Sequence, residues 1–146
     1  MIGSGVLLEC LDDPRVESVL SLVRRPGKIS HPKLREIARS DFFDFSDIAD
    51  ELADRDACFF CLGVSSVGMS EAEYSRLTYD VTLALATVLA DRRPGAAFCF
   101  VSGAGTDSTE QGRSMWARVK GRTENALFRL PLEVYAFRPG FVQPLK

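Results

Sequence analysis

Apolar positions along the chain switch between two rhythms, one suited to strands and one to helices. "VESVLSLVRRP" holds a short β-branched and leucine run that stops at two arginines and a proline, which predicts a strand. "KLREIARSDFFDF" carries a second strand signal, ending near Asp41. "DACFFCLG" is a continuous apolar run closed by Gly63, the pattern of a strand buried on both faces. "SEAEYSRLTYDVTLALATVLADRRPG" then changes period. Ser70 with Glu73 three residues on forms a capping-box signature, and Tyr74, Leu77, Val81, Leu85 and Val88 recur at helical spacing before Pro94-Gly95. "AAFCFVSG" reads as another buried strand, "SMWARVKGRTENALFRL" as a helix and "LEVYAFRPG" as a further strand. Strands are expected over 57–62, 97–102 and 134–137, and helices over 73–89 and 115–128. The opening "MIGSGVLLECLDDP" reads as a small-residue turn running into a short amphipathic helix (Val6, Leu7, Cys10, Leu11), with Pro14 beyond it.

Strand and helix alternating over short connections imply right-handed βαβ units and a mostly parallel sheet. With 146 residues and no repeat, linker or low-complexity tract, the expectation is one α/β domain spanning 1–146. Hydrophobic residues make up 46% and charged residues 26%, the balance of a soluble globular protein. A net charge of −2 gives no electrostatic case for a nucleic-acid or acidic-membrane partner. No apolar run has the length of a membrane span and no secretory leader is recognisable, so the expected compartment is the cytoplasm.

Cys58 and Cys61 form a C-x-x-C inside an apolar run. On a strand, residues three apart point to opposite faces, so the pair reads as buried and inert rather than as a redox or metal site. His31, the single histidine, lies in a polar Pro/Gly segment and reads as a solvated loop residue.

Ligands of open α/β sheets bind beyond the carboxyl ends of the strands. Three of those ends are "LVRR", "CLGVSS" and "FVSGAG". Together with "MIGSG", "DF", a lysine four residues after an aromatic and "FRPG", their order resembles that of the atypical short-chain dehydrogenase/reductase superfamily. The likeness is to its NAD(P)-binding, nucleoside-diphosphate-sugar-epimerase-like branch, and it runs from Met1 to about Pro144.

That resemblance implies a Rossmann-like, doubly wound parallel sheet. It places Gly3 at the last glycine of a T-G-x-x-G-x-x-G turn, whose preceding strand and earlier glycines have no counterpart in this chain. A chain shortened at both ends, marginal in isolation, is the matching expectation. Arg24 and Arg25 fall where a basic residue suits the 2′-phosphate of NADP, and an acidic one the ribose of NAD. Asp41 and Phe42 match the adenine-side pair, and the alternative for them is a capping Asp beside a core Phe. Leu62, Gly63 and Pro139 match cofactor-lining positions.

In the superfamily a Ser, a Tyr and a Lys four residues after the Tyr carry hydride-transfer chemistry. Ser102 and Lys120 match the Ser and the Lys, with Lys120 also holding the nicotinamide ribose, but the Tyr position is Trp116. Indole has one N–H donor and no accessible pKa, so it orients a carbonyl without relaying a proton. Asp107 and Glu110, in "GTDSTEQG", are the alternative acid/base candidates, against a solvated loop. Tyr74, Tyr79 and Tyr135 read as packing.

Three functions stay open. One is an oxidoreductase or epimerase using NADP (or NAD) on a small carbonyl or sugar nucleotide, with a homodimer as its candidate assembly. Another is a non-catalytic, redox-sensing or regulatory NAD(P)-binding protein, which Trp116 favours. The third is a chain that binds nothing.

Overall fold

The computed structural model describes residues 2–143. They form two compact units, divided between Phe42 and Phe43.

The first unit holds α1 (Ile2–Asp12), β1 (Val19–Val23) and β2 (Leu34–Ala38). The small residues that read as a turn are helical from Ile2 onwards, which corrects the expected turn. Lys33 closes the far end of α1 by donating its ammonium to the carbonyls of Leu11 (3.1 Å) and Asp13 (2.7 Å). Carbonyls left over at a helix C-terminus favour such a cation. β1 and β2 pair in parallel, Val19 beside Leu34 through Val23 beside Ala38. Their crossover, residues 24–33, contains no helix. Pro26, Gly27 and Pro32 explain its absence, since each opposes helical backbone. β2 stops at Ala38, short of the expected end near Asp41.

The second unit begins with a 3₁₀ turn (Ser46–Ile48) and α2 (Ala49–Ala53). Next come β3 (Ala57–Phe60), α3 (Glu71–Ser75), a π turn (Arg76–Asp80) and α4 (Val81–Arg92). β4 (Ala97–Val101), α5 (Met115–Leu127) and β5 (Glu133–Phe137) complete it. The strands form a parallel sheet in the order β3-β4-β5, with Phe59 beside Cys99 and Cys99 beside Tyr135. Parallel α/β architecture is thus present, with its strands in two sheets.

The capping box forms as expected. Ser70 Oγ accepts from the Glu73 amide, and the Glu73 carboxylate accepts from the Ser70 amide. The π turn changes the inward stripe of the following helix. Its wider i→i+5 turn brings Thr78 inside and leaves Leu77 exposed. The buried positions become Tyr74, Thr78, Val81, Thr82, Leu85, Ala86, Leu89 and Ala90, while Val88 is half-buried. Thr82 is satisfied there by donating to the Thr78 carbonyl at 2.5 Å.

Both crossovers of this sheet run in the same direction, so right-handed connection puts their helices on one face. Phe60, Phe98 and Phe100 point to that face and are buried, with the Phe60 and Phe98 rings 5.9 Å apart. The opposite face carries Phe59, Tyr135 and Phe137, which are 49%, 50% and 56% exposed. A strand buried on both faces is therefore corrected to one buried on a single face. β3 and β4 end at Phe60 and Val101, a residue or two short of the expected 62 and 102. Cys58, on the covered face, has its thiol pushed up to about 12, chiefly by burial, and stays protonated. The four cysteines are all free and half-buried.

This one-sidedness sets a measurable contrast. Phe98→Ala is expected to lower unfolding free energy by about 3–5 kcal/mol through lost burial and a cavity. Phe59→Ala is expected to cost about 1 kcal/mol or less. Urea unfolding of the two variants with comparable slopes checks it; equal losses would mean that both faces are packed.

Candidate functional site

Strand-like hydrogen bonding continues past the ends of β4 and β5. The Ser102 amide donates to the Phe137 carbonyl (2.7 Å) and the Ala104 amide to the Pro139 carbonyl (3.0 Å). Residues 102–104 and 137–139 therefore run side by side at the carboxyl edge of the sheet. Pro139 contributes its carbonyl to this arrangement.

Ser102 is buried, with its hydroxyl 2.8 Å from that of Thr106. Thr106 spends its one proton on the Gly103 carbonyl at 2.7 Å. Ser102 is then the donor in the pair, and it offers lone pairs to anything else that approaches. Over this turn lies Trp116, half-buried on α5. A Cβ added at Gly103 or Gly105 would lie 3.5 or 3.6 Å from its indole. Gly105 also has φ +88°, where a side chain is strained.

One helical turn after Trp116, Lys120 reaches back over the Phe100 ring (5.7 Å). Its ammonium donates to the carbonyls of Val101 (3.2 Å) and Ser102 (3.0 Å). Two of its three N–H groups are used, and among the described residues no carboxylate pairs with it. Burial pushes this lysine below its ordinary range, against a lesser upward pull from the Glu124 carboxylate. Ser102, Trp116 and Lys120 thus converge on the end of β4.

The loop after β4 is fastened to α5 by contacts that the sequence reading did not assign. The Asp107 amide donates to the Ala117 carbonyl (3.1 Å), and the Asn125 side chain donates to the Ser108 carbonyl (3.0 Å) and to Glu110 (2.7 Å). Gly121 makes the approach feasible, because a Cβ there would overlap the Asp107 carbonyl. Asp107 organises the loop itself, accepting from the Thr109 amide (3.0 Å) and hydroxyl (2.6 Å) and from the Gly112 amide (2.6 Å). These bonds hold its carboxyl below the usual range, the Thr109 hydroxyl contributing most. Asp107 is engaged within the loop and Glu110 by Asn125 of α5, so the loop is an ordered turn, with residues 108–111 exposed to solvent.

Beneath the loop Glu124 is 2% exposed, and both of its oxygens are taken by Arg138. Arg138 also donates to the Ser108 hydroxyl at 2.7 Å. Signals for this second tier were present in the chain: a glycine inside a strong helix pattern, an acid four residues after Lys120, and the arginine of "FRPG".

Leu62 and Gly63 follow β3, both exposed, and a Cβ at Gly63 would meet nothing within 4 Å. In the first unit, Gly3 lies in the first turn of α1. Arg24 and Arg25 are exposed just beyond β1, with no partner among the described residues. The Asp41 carbonyl accepts from Arg39 (2.6 Å), and Phe42 is buried, as a core Phe would be. His31 is half-buried, its Nδ1 accepting from the Lys33 amide at 3.1 Å, which corrects the solvated reading. Tyr74 is core, Tyr79 carries the Arg122 guanidinium 4.2 Å above its ring, and Tyr135 is half-exposed on the uncovered face.

Among the described residues no helix is long and apolar enough to cross a membrane. No family model matches the chain, and a search of curated proteins finds no match to it.

Two outcomes follow from the loop. Gly121→Ala must push the Asp107 backbone off α5, and its expected cost is about 3 kcal/mol in urea unfolding, at the upper end of overpacking. Asp107 is lowered in the folded chain, so its contribution is complete above the unfolded carboxylate range, about pH 4, and is lost as pH falls further. The Gly112 amide resonance should hold still from neutral pH down to about 4 and move only below it. Asp107→Asn should abolish that movement.

Proposed function

We propose that this chain binds NADP (or NAD) and is oxidoreductase- or epimerase-like, of short-chain dehydrogenase type. The proposed substrate is a small carbonyl compound or a sugar nucleotide, and the proposed architecture is the doubly wound, Rossmann-like sheet. The observation that carries the reading is Lys120, a half-buried ammonium at the carboxyl end of β4 with two N–H groups on carbonyls and one unspent. A ribose hydroxyl is a suitable acceptor for the third. The open space around Gly63 fits the close passage of a ligand at the neighbouring strand end. The guanidinium groups of Arg24 and Arg25, exposed and without a partner among the described residues, suit a 2′-phosphate, which arginine binds in bidentate fashion. When bound, a nicotinamide cofactor supplies a hydride or accepts one.

This chain's own residues supply orientation. Ser102 presents lone pairs, the benzo edge of Trp116 forms an apolar wall beside Gly103 and Gly105, and Lys120 brings positive charge. A second reading, a non-catalytic NAD(P)-binding sensor or regulator, has one observation in its favour. The Trp116 indole has no titratable proton, while Asp107 is bonded within its loop and Glu110 to Asn125 of α5.

Titration of the chain with NADPH, followed by nucleotide fluorescence, is the test. Saturable binding is expected, weakened about tenfold by Lys120→Met, the loss of one charged hydrogen bond. Replacing Arg24 and Arg25 together with Ala should weaken NADPH more than NADH. Absence of saturable binding by either nucleotide would sink the proposal. Binding with substrate-dependent NADPH oxidation selects the enzyme reading, and binding without turnover across carbonyl and sugar-nucleotide substrates selects the sensor.

A further inference from the structure

Lys120 and Glu124 stand four residues apart on α5, the spacing at which a helix ordinarily joins a lysine to a carboxylate. Here the two are not joined. Glu124 is held from the other side by Arg138, just beyond β5: Nε donates to Oε1 at 3.0 Å and Nη2 to Oε2, while Nη2 also reaches Ser108 Oγ. Lys120 turns instead to the neutral carbonyls of Val101 and Ser102.

We infer that Arg138 is a positioning residue that holds the Glu124 carboxylate away from Lys120, leaving the lysine without a counter-ion and with one N–H free for an acceptor on a ligand. A planar guanidinium suits this task because it binds both carboxylate oxygens at once, which a point charge cannot do. Burial supplies the motive for an exchange of partners. A carboxylate 2% exposed cannot stay charged and unpaired, so without Arg138 it must take a proton or turn to the nearest cation on its own helix. That cation is Lys120. Among the described residues, Glu124 is the titratable group that acts on the Lys120 ammonium, which also meets the Phe100 ring and two carbonyls. The ligand clause rests on the cofactor reading above, whereas the exchange of partners does not.

The test therefore uses the full chain without nucleotide. Competitive acetylation by acetic anhydride across a pH series, read by peptide mass spectrometry, reports each lysine's titration, with exposed Lys28 as internal reference. In the parent chain Lys120 should titrate below the ordinary lysine range. Arg138→Met should move its titration upward and slow its acetylation at pH 8 by about tenfold, the effect of an opposite charge gained at close range. In a Glu124→Gln background the same substitution should leave the Lys120 rate within about twofold, because no carboxylate remains to turn. Should Arg138→Met fail to fold, Arg138→Lys takes its place, since one ammonium cannot hold both oxygens. It should slow Lys120 in the parent and not in Glu124→Gln. An unchanged Lys120 titration in the Arg138 variants, or an equal change in both backgrounds, overturns the inference. NADPH binding is then measured on the same variants. Loss of the lysine effect refutes the positioning role, whereas an intact lysine effect without nucleotide binding refutes only the cofactor reading.

Discussion

The contact on which the rest of the second unit's site depends is the backbone of Asp107 lying directly on α5 at Gly121. A helix normally keeps a neighbouring backbone at side-chain distance, and only a residue without Cβ removes that barrier. Once the loop is seated there, the Asp107 amide reaches the Ala117 carbonyl and Asn125 reaches the Ser108 carbonyl. Ser108 in turn comes within hydrogen-bond distance of Arg138. The turn that bears Ser102, Gly103 and Thr106 is thereby held against the helix that bears Trp116 and Lys120. Glycine inside a helix costs up to about 1 kcal/mol relative to alanine. The hydrogen bonds gained on both sides of Gly121 offset that cost.

Polar groups at the end of β4 are connected in a way that limits their chemistry. The direction of the Thr106 bond to Gly103 makes Ser102 a donor to its neighbour and an acceptor to a ligand. To donate to a substrate oxygen, the Ser102 hydroxyl must first turn away from Thr106, whose own bond to Gly103 can stay in place. Lys120 is fixed by two carbonyls, and among the described residues no carboxylate is bonded to it, so it places positive charge at the strand end. An arrangement of this kind suits holding a hydroxyl-rich or anionic ligand. Moving a proton calls for a titratable group with freedom to exchange it, and Trp116 has none.

The three-stranded sheet is built unequally. Its helix-side face concentrates the large buried rings, Phe98 and Phe100 among them, whereas Phe59, Tyr135 and Phe137 stay half in solvent. Same-direction crossovers explain the covered side, because right-handed connections deliver successive helices to one face. The site contacts use that covered side too: Lys120 crosses the Phe100 ring on its way to the carbonyls of β4. Packing and site geometry in this unit are therefore one construction.

Read alone, the chain determined its local elements and their kind. Apolar runs of strand length, the Ser70–Glu73 capping box and the Pro/Gly punctuation each act over a few residues, and their outcome follows from short-range sterics and hydrogen bonding. The strands at β3, β4 and β5, the helices between them and their parallel sense were legible for that reason, as was the spacing that puts Trp116 and Lys120 on one helix face. What depended on distant partners was not. Whether an apolar run is covered on one face or two is decided by what packs on it, so "ACFF" gave no warning that Phe59 is half-exposed. The π turn at Arg76–Asp80 redirected the inward stripe away from Leu77, against plain helical periodicity. The pairing of Glu124 with Arg138 joins residues 14 positions apart, and the need for Gly121 arises only when the loop lies on the helix. Tertiary structure decided these, because a side chain's partner is set by which groups folding brings within a few ångströms.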